Sequence, residues 1–195
     1  MSFNSLPSEA ELLLGRKRIL VTGGAGFIGG AVVRRLLRKT DATIFNLDKM
    51  GYASNLDSIE AALRDLGATA KKRHVFQHVD LSNKEAVTAA VKVADPDLVM
   101  HLAAESHVDR SISGPGLFIE SNISGTYHLL QAVLSHYDGL IGQRRDLFRM
   151  HHISTDEVFG TLGATGRFSE TTRYDPRSPY SASKAASDHL VQAWH

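Results

Sequence analysis

Two hydrophobic periods alternate along the chain. Short apolar or β-branched runs recur at RILVT (Arg18 to Thr22), ATIFNLD (ending near Asp48), HVFQHVD (ending at Asp80), DLVMHLA, and Phe148 to Ser154. Runs of this length and composition suit strands buried on both faces. Between them the apolar positions switch to helical spacing. Phe27, Ile28, Val32, Val33, Leu36 and Leu37 follow the first run, and Leu56 to Leu66, with Asn55 at its start, follows the second. After the third, Ser82 or Asn83 can cap a helix running to about Val93, and Asp95-Pro96 closes it. A long helix carrying Leu117, Ile119, Ile123, Tyr127, Leu130 and Val133 follows the fourth, and another starts at Ser178. Strand–helix repeats with crossovers of this size predict an α/β domain, a parallel sheet doubly wound with helices on both faces. Ahead of it, Ser8 to Leu14 reads as a short helix between Pro7 and Gly15, so residues 1–17 are expected to be an extension and 18–195 the domain. The last helix has no terminating glycine before His195, and the expectation is a domain truncated inside that helix.

Composition narrows the class. The 22 Lys and Arg against 21 Asp and Glu leave almost no net charge, which removes the electrostatic case for a nucleic-acid partner or an anionic membrane. Short basic groups such as Arg34-Arg35 and Lys71-Lys72-Arg73 read as solvated surface. Cysteine is absent, so there is no disulfide, thiolate nucleophile or cysteine-ligated metal. The first 17 residues lack the layout of a signal peptide and no apolar run reaches membrane-spanning length, so the expected location is the cytoplasm. Ten histidines invite a metal reading. There is no HExxH, His151 and His152 would point to opposite faces of a strand, and His101 and His107 lack a third ligand, so no metal site is expected.

The first chemical signal is VTGGAGFIGG, in which Gly23, Gly26 and Gly29 form GxxGxxG between the first strand and the first helix. The first glycine permits a tight turn, the second lets backbone amides approach a pyrophosphate, and the third lets the helix pack on the sheet. The helix start at Phe27 and Ile28 adds free N–H groups and a favourable dipole. A glycine turn alone is weak evidence; the strand before it and the amphipathic helix after it make it a Rossmann-like dinucleotide site. Asp48, ending the second strand, is placed to accept hydrogen bonds from the adenosine ribose hydroxyls. Its charge repels a 2′-phosphate, so NAD is expected rather than NADP. Lys49 pulls the other way, since an ammonium there can serve a phosphate. Asp80, followed by Leu81, is placed to touch the adenine edge and reads equally as a turn or capping aspartate. Leu102, Ala103 and Ala104 close the fourth strand at the same end of the sheet, where small residues admit a cofactor or simply pack tightly.

Two further segments carry chemistry. In HHISTDEVFG, residues Ser154, Thr155, Asp156 and Glu157 lie just past the fifth strand, at the sheet edge where ligands bind, although these polar residues also fit a plain turn before a capped helix. In SPYSASKAASDHL, Tyr180 and Lys184 are four apart and share a helix face. An ammonium beside a phenol of ordinary pKa about 10 favours the phenolate and brings it towards useful base strength. YxxxK alone is common; after GxxGxxG and a threonine beyond the fifth strand it becomes specific. In this order of motifs the chain resembles the extended short-chain dehydrogenase/reductases. Within that superfamily it is most similar to the dTDP-glucose 4,6-dehydratases, through VTGGAGFIG, NLDKMGYASNL, HLAAESHVDRSI, FRMHHISTDEVFG and SPYSASKAASDHLVQAWH. The resemblance spans almost everything from Arg18 onward but only the N-terminal part of the family's length. Asp156 and Glu157 carry its dehydratase part, because related epimerases keep the Thr or Ser and YxxxK without this acid pair. Phe159 stands where the family usually has tyrosine.

The resemblance implies an NAD-dependent lyase acting on a nucleotide sugar, dTDP-glucose. Tyr180 would take the proton of the 4-hydroxyl as hydride leaves C4, with Thr155 hydrogen-bonded to that hydroxyl and Lys184 favouring the phenolate and holding the nicotinamide ribose. Glu157 would then remove the C5 proton and Asp156 protonate the departing C6 hydroxyl, before hydride returns to C6. The resemblance also puts Ser106 and His107, with Glu105, on the substrate side. From the residues alone Glu105 pairs as well with Arg110, and His107 is a plain donor. Asn122 matches a family position, where it positions backbone or bonds locally. A homodimer through the helix around residues 116–137 and the helix near Tyr180 is implied, as is a C-terminal substrate domain absent from this sequence. Two alternatives stay open: a dehydratase or epimerase for another nucleotide sugar, and an NAD-binding module without turnover. No GxSxG elbow or ordered Ser–His–acid set supports acyl transfer.

Overall fold

The computed structural model describes residues 17–194, and the short helix expected over Ser8 to Leu14 lies outside the described residues. Five strands, β1 (Arg18–Thr22), β2 (Thr43–Asp48), β3 (His74–His78), β4 (Leu98–His101) and β5 (Arg149–His152), form one sheet in the order β3-β2-β1-β4-β5. All pairings are parallel. The helices are α1 (Phe27–Lys39), α2 (Asp57–Lys72), α3 (Lys84–Ala94), α4 (Val108–Ser113), α5 (Pro115–Phe118), α6 (Gly125–Asp138), α7 (Gly142–Leu147) and α8 (Pro179–Ala193). This is the Rossmann-like doubly wound α/β class. The chain winds outward from β1 through β2 and β3, then crosses to β4 on the other side. The crevice beyond the C-terminal ends of β1 and β4 is therefore the switch point where such sheets bind ligands.

Burial on both sides explains the continuous apolar runs. Leu20 packs with Val87 and Val91 of α3 and Leu129 and Val133 of α6. Its neighbours Ile19 and Val21 point the other way, onto Val33 and Leu37 of α1 and Ile59 and Leu63 of α2. Asn83 is the residue that caps α3, accepting from the Ala86 N–H, and left-handed Asp95 ends that helix. Leu56, not Asn55, precedes α2 and makes no side-chain cap; the helix breaks just past Leu66, at Gly67, whose backbone is non-helical at φ +79°, and a second helical stretch continues to Lys72.

Two differences from expectation bear on the site. Strands β3, β4 and β5 stop before Asp80, Ala103 and Ser154, since the β4–β5 ladder ends at the pair His101 and His152. The residues beyond leave the sheet and become walls of the crevice. The long helix expected after β4 is divided: α5 leads into a π-helical turn, Ile119–Ser124, and then α6. A wider turn changes which side chains face inward, and Asn122 is buried here. Helix α8 begins with a reciprocal cap in which Ser178 Oγ accepts the Ser181 N–H and Ser181 Oγ accepts the Ser178 N–H, with Pro179 in first position.

Candidate functional site

A cleft along the C-terminal sheet edge is lined by every residue expected to hold a dinucleotide: Gly23, Gly26, Phe27, Ile28, Gly29, Asp48, Lys49, Asp80, Leu81, Leu102, Ala103, Ala104, Tyr180 and Lys184. Ser106 lines it too, whereas His107, Thr155, Asp156 and Glu157 lie outside the lining. Gly23 turns the chain at φ +71°, and its N–H donates to the Leu47 carbonyl. A Cβ on Gly29 would collide with the Gly23 carbonyl oxygen, so the third glycine seats α1 on the turn itself rather than on the sheet. Gly29→Ala should destabilise the protein by about 1–3 kcal/mol, read as a lowered urea midpoint at unchanged slope. An unchanged midpoint would show that the turn yields freely.

The start of α1 carries no side-chain cap and no acidic residue in its first turn. Its leading N–H groups therefore open onto the cleft with the positive end of the helix dipole, an arrangement that suits a pyrophosphate. Asp48 is buried, with Oδ2 accepting the Ala25 N–H and Oδ1 accepting the Met50 N–H and the Ser54 hydroxyl. Of about four acceptor positions on a carboxylate, these bonds leave one for a ribose hydroxyl. Asp80 Oδ1 accepts the Ser82 N–H, so the turn role is realised while the residue still lines the cleft. The chemistry of these groups suits an adenosine ribose and a pyrophosphate.

At the other end, successive positions on one face of α8 grip the chain leaving β5. Tyr180 lies beside Thr155, which draws its phenol down against the larger effect of burial, Lys184 Nζ donates to the Ile153 carbonyl at 2.7 Å, and Asp188 accepts from His152 Nε2 at 3.0 Å and Ser154 Oγ at 2.5 Å. Asp188 also accepts from Tyr174. Sequence reasoning missed Asp188, although its spacing from Tyr180 and Lys184 puts all three on one helical stripe. Burial alone would raise the Asp188 carboxyl, but hydrogen bonds from His152, Ser154 and Tyr174 outweigh it and hold the pKa below the ordinary value. Beneath this stripe, His101 is buried between the Thr22 and Thr126 hydroxyls, and burial first, then His152 and Lys184, keeps its pKa well down.

The expectation that Lys184 draws the Tyr180 phenol down is not met. Burial raises the Tyr180 pKa, Thr155 opposes that, and the Glu157, Asp156 and Asp188 charges raise it further. Burial lowers the Lys184 pKa, with Asp188 opposing, and the ammonium is directed at a backbone carbonyl. Thr155 also caps a 3-10 turn, Asp156–Phe159, by accepting the Glu157 N–H, which leaves both acidic side chains exposed beside the phenol. Phe159 packs against Phe168 and Tyr174, so the missing hydroxyl falls in an aromatic cluster.

Glu105 pairs not with Arg110 but with Lys49, at 2.7 Å. Arg110 instead lies over the Tyr52 ring. The buried Asn122 of the π turn accepts the Glu105 N–H and donates to its carbonyl and to Ser183 Oγ, so it positions backbone at the cleft.

The sequence model of the GDP-mannose 4,6 dehydratase family matches residues 20–195. The chain is 51% identical over 186 residues to a dTDP-glucose 4,6-dehydratase of Shigella flexneri, covering 91% of this chain and 50% of the relative. It is 51% identical over 181 residues to one of Neisseria gonorrhoeae, covering 92% and 51%. It thus spans about half the length of the curated relatives it matches. Among solved structures, the dTDP-glucose 4,6-dehydratase of Streptomyces venezuelae with NAD bound superposes with a TM-score of 0.75 at 38% identity, covering 91% of this chain and 51% of that one. The UDP-glucose 4-epimerase of Thermus thermophilus in complex with NAD gives 0.72 at 31%, covering 91% and 50%. Because the family match starts inside β1 and takes in every later strand and the helix bearing Tyr180 and Lys184, the chain belongs to the GDP-mannose 4,6-dehydratase family.

Proposed function

We propose that this chain carries the NAD site and the acid–base groups of a dTDP-glucose 4,6-dehydratase, which forms dTDP-4-keto-6-deoxyglucose and water. The observation that carries the reading is that Tyr180 and Lys184 line one end of the dinucleotide cleft, with the Thr155, Asp156 and Glu157 side chains near enough to act on the Tyr180 phenol. The glycine turn and the uncapped start of α1 would hold the pyrophosphate, Asp48 a ribose hydroxyl, and Lys184 the nicotinamide ribose. NAD held there would supply the reversible hydride acceptor for the chemistry at sugar C4 and C6. Thr155 orients the 4-hydroxyl and Tyr180 takes its proton. The resulting 4-keto group acidifies C5; Glu157 removes that proton, and protonated Asp156 delivers one to the leaving C6 hydroxyl. Ser106, which lines the cleft, and His107 just after it would contact the sugar.

The relatives are twice as long, which supports reading residues 18–195 as a cofactor-binding half whose sugar nucleotide is completed by a C-terminal domain. Leu117, Ile119, Tyr127 and Leu134 expose apolar surface along α5, the π turn and α6, which supports a homodimer through these elements and α8. Among the described residues no helix is long and apolar enough to cross a membrane; the absence of cysteine is in keeping with a cytoplasmic enzyme.

Incubation with NAD⁺ and dTDP-glucose in D₂O tests the reaction by mass spectrometry. Loss of water with deuterium at C5 is expected, and Glu157→Gln should suppress both by about 10²-fold or more. Cofactor binding without conversion would reduce the reading to a dinucleotide-binding module, and conversion of a different nucleotide sugar alone would overturn the substrate.

A further inference from the structure

We propose that Glu105 sets the cofactor preference by neutralising Lys49, the one cation placed to receive a 2′-phosphate. The inference rests on the reading of the cleft as a dinucleotide site. Lys49 directly follows Asp48, the carboxylate at the adenosine ribose position. Among the described residues lining the cleft the cations are Lys49 and Lys184. Lys184 is held at the far end by the Ile153 carbonyl, and Arg110, just outside, is stacked on Tyr52. A phosphate on the adenosine ribose would therefore look to Lys49 alone.

Lys49 is not available for that task. Its ammonium is 2.7 Å from Glu105 Oε1, with only 33% and 15% of the two side chains exposed. The strand order places β1 between the exits of β2 and β4, so this pair reaches across the glycine turn from one side of the cleft to the other. Glu105 is not a loosely hung partner, because both its N–H and its carbonyl are bound by the Asn122 side chain at 2.8 and 2.9 Å. An incoming 2′-phosphate meets the Asp48 and Glu105 carboxylates and finds the lysine counter-charge already paired. A free 2′-hydroxyl needs neither the ammonium nor its release. Asp48 disfavours the phosphate by repulsion, and Glu105 disfavours it by occupying the remedy.

Calorimetric titration of NAD⁺ and NADP⁺ into the wild type and Glu105→Gln reads the effect without any turnover. The glutamine keeps the length of the side chain and removes its charge. Glu105→Gln should tighten NADP⁺ by about tenfold, a gain that fades with added salt, while NAD⁺ stays within about threefold. Adding Lys49→Met to Glu105→Gln should abolish the gain, which ties it to the ammonium. A Glu105→Gln protein that binds NAD⁺ normally and NADP⁺ no more tightly overturns the proposal. Loss of both nucleotides would also overturn it, by making the pair a structural brace. If Glu105→Gln does not fold, Glu105→Ala is read by the same criteria. A wild type that binds neither nucleotide would instead sink the reading of the cleft, and this inference with it.

Discussion

Tyr180→Phe should slow oxidation of the nucleotide sugar by about 10²–10⁴-fold while NAD⁺ affinity stays nearly unchanged. The ring would keep its place against Phe118, where the tyrosine makes an edge contact, and only the hydroxyl is lost. The pH dependence makes the test sharper. Burial first, with the neighbouring acids adding to it, holds the Tyr180 phenol above its ordinary pKa, and only Thr155 opposes them. The working base is the phenolate, so the rate of the first hydride transfer should climb with pH through neutrality and beyond. That rising limb should vanish in Tyr180→Phe. In Glu157→Gln it should move to lower pH, because the larger of the two neighbouring carboxylate charges that raise the phenol is gone. Single-turnover formation of reduced cofactor across a pH series reads all three proteins. A flat wild-type profile, or a phenylalanine variant with undiminished rate, would remove Tyr180 from the role of base.

The largest effect on stability is expected at Asp188. This carboxylate is 6% exposed and accepts from His152, Ser154 and Tyr174. Asp188→Ala leaves those donors facing a void and should cost about 3–5 kcal/mol, roughly 10 °C or more in Tm. The sign of its pH dependence follows from the lowered pKa of Asp188. Its contribution is present above the unfolded carboxyl value of about 3.9 and is lost as pH falls through the lower folded value. Tyr174 works in the opposite sense: burial first, and then Asp188, push its phenol up to about 12. Its share is present below the unfolded value of about 10 and is lost as pH rises through the folded one. Thermal unfolding of the wild type should therefore lose this cluster at both acid and alkaline extremes, and Asp188→Ala should flatten both flanks. Equal Tm values for the two proteins at neutral pH would refute the assignment.

What the sequence revealed was local in character. The continuous apolar runs, set off by helical spacing between them, located all five strands, and the glycine spacing, Asp48 and the Tyr180–Lys184 interval located one cleft. Strand ends were less legible, because a strand stops where its neighbour stops, and β4 and β5 limit each other at His101 and His152. Glu105 shows the same limit more clearly. Sequence proximity favoured Arg110, but the order of strands carries Glu105 over β1 to Lys49 and leaves Arg110 for Tyr52. The π turn was hidden because its apolar pattern reads as ordinary helix, although it is where Asn122 reaches the Glu105 backbone. The Tyr180 phenol was misjudged for a related reason. Spacing reveals that Lys184 lies nearby, but not that its Nζ turns to the Ile153 carbonyl or how much solvent the ring has lost.

The stripe on α8 has a consequence for how this half of the protein tolerates insertions. Residues 180, 184 and 188 take hold of the β5 exit as a rack engages a pinion, each tooth meeting its own stretch of residues 152–155. The intervening stretch, residues 160–177, contains no helix or strand; Phe168 and Tyr174 tie parts of it down, but the chain around Gly163 faces open space. A residue inserted there near Gly163 should be absorbed with little effect. The same residue inserted between Tyr180 and Lys184 turns everything after it by about 100° around the helix and disengages both later teeth together. Length variation should accordingly accumulate ahead of Ser178 and be purged after it, so that the spacing of the stripe outlasts the identity of the residues between.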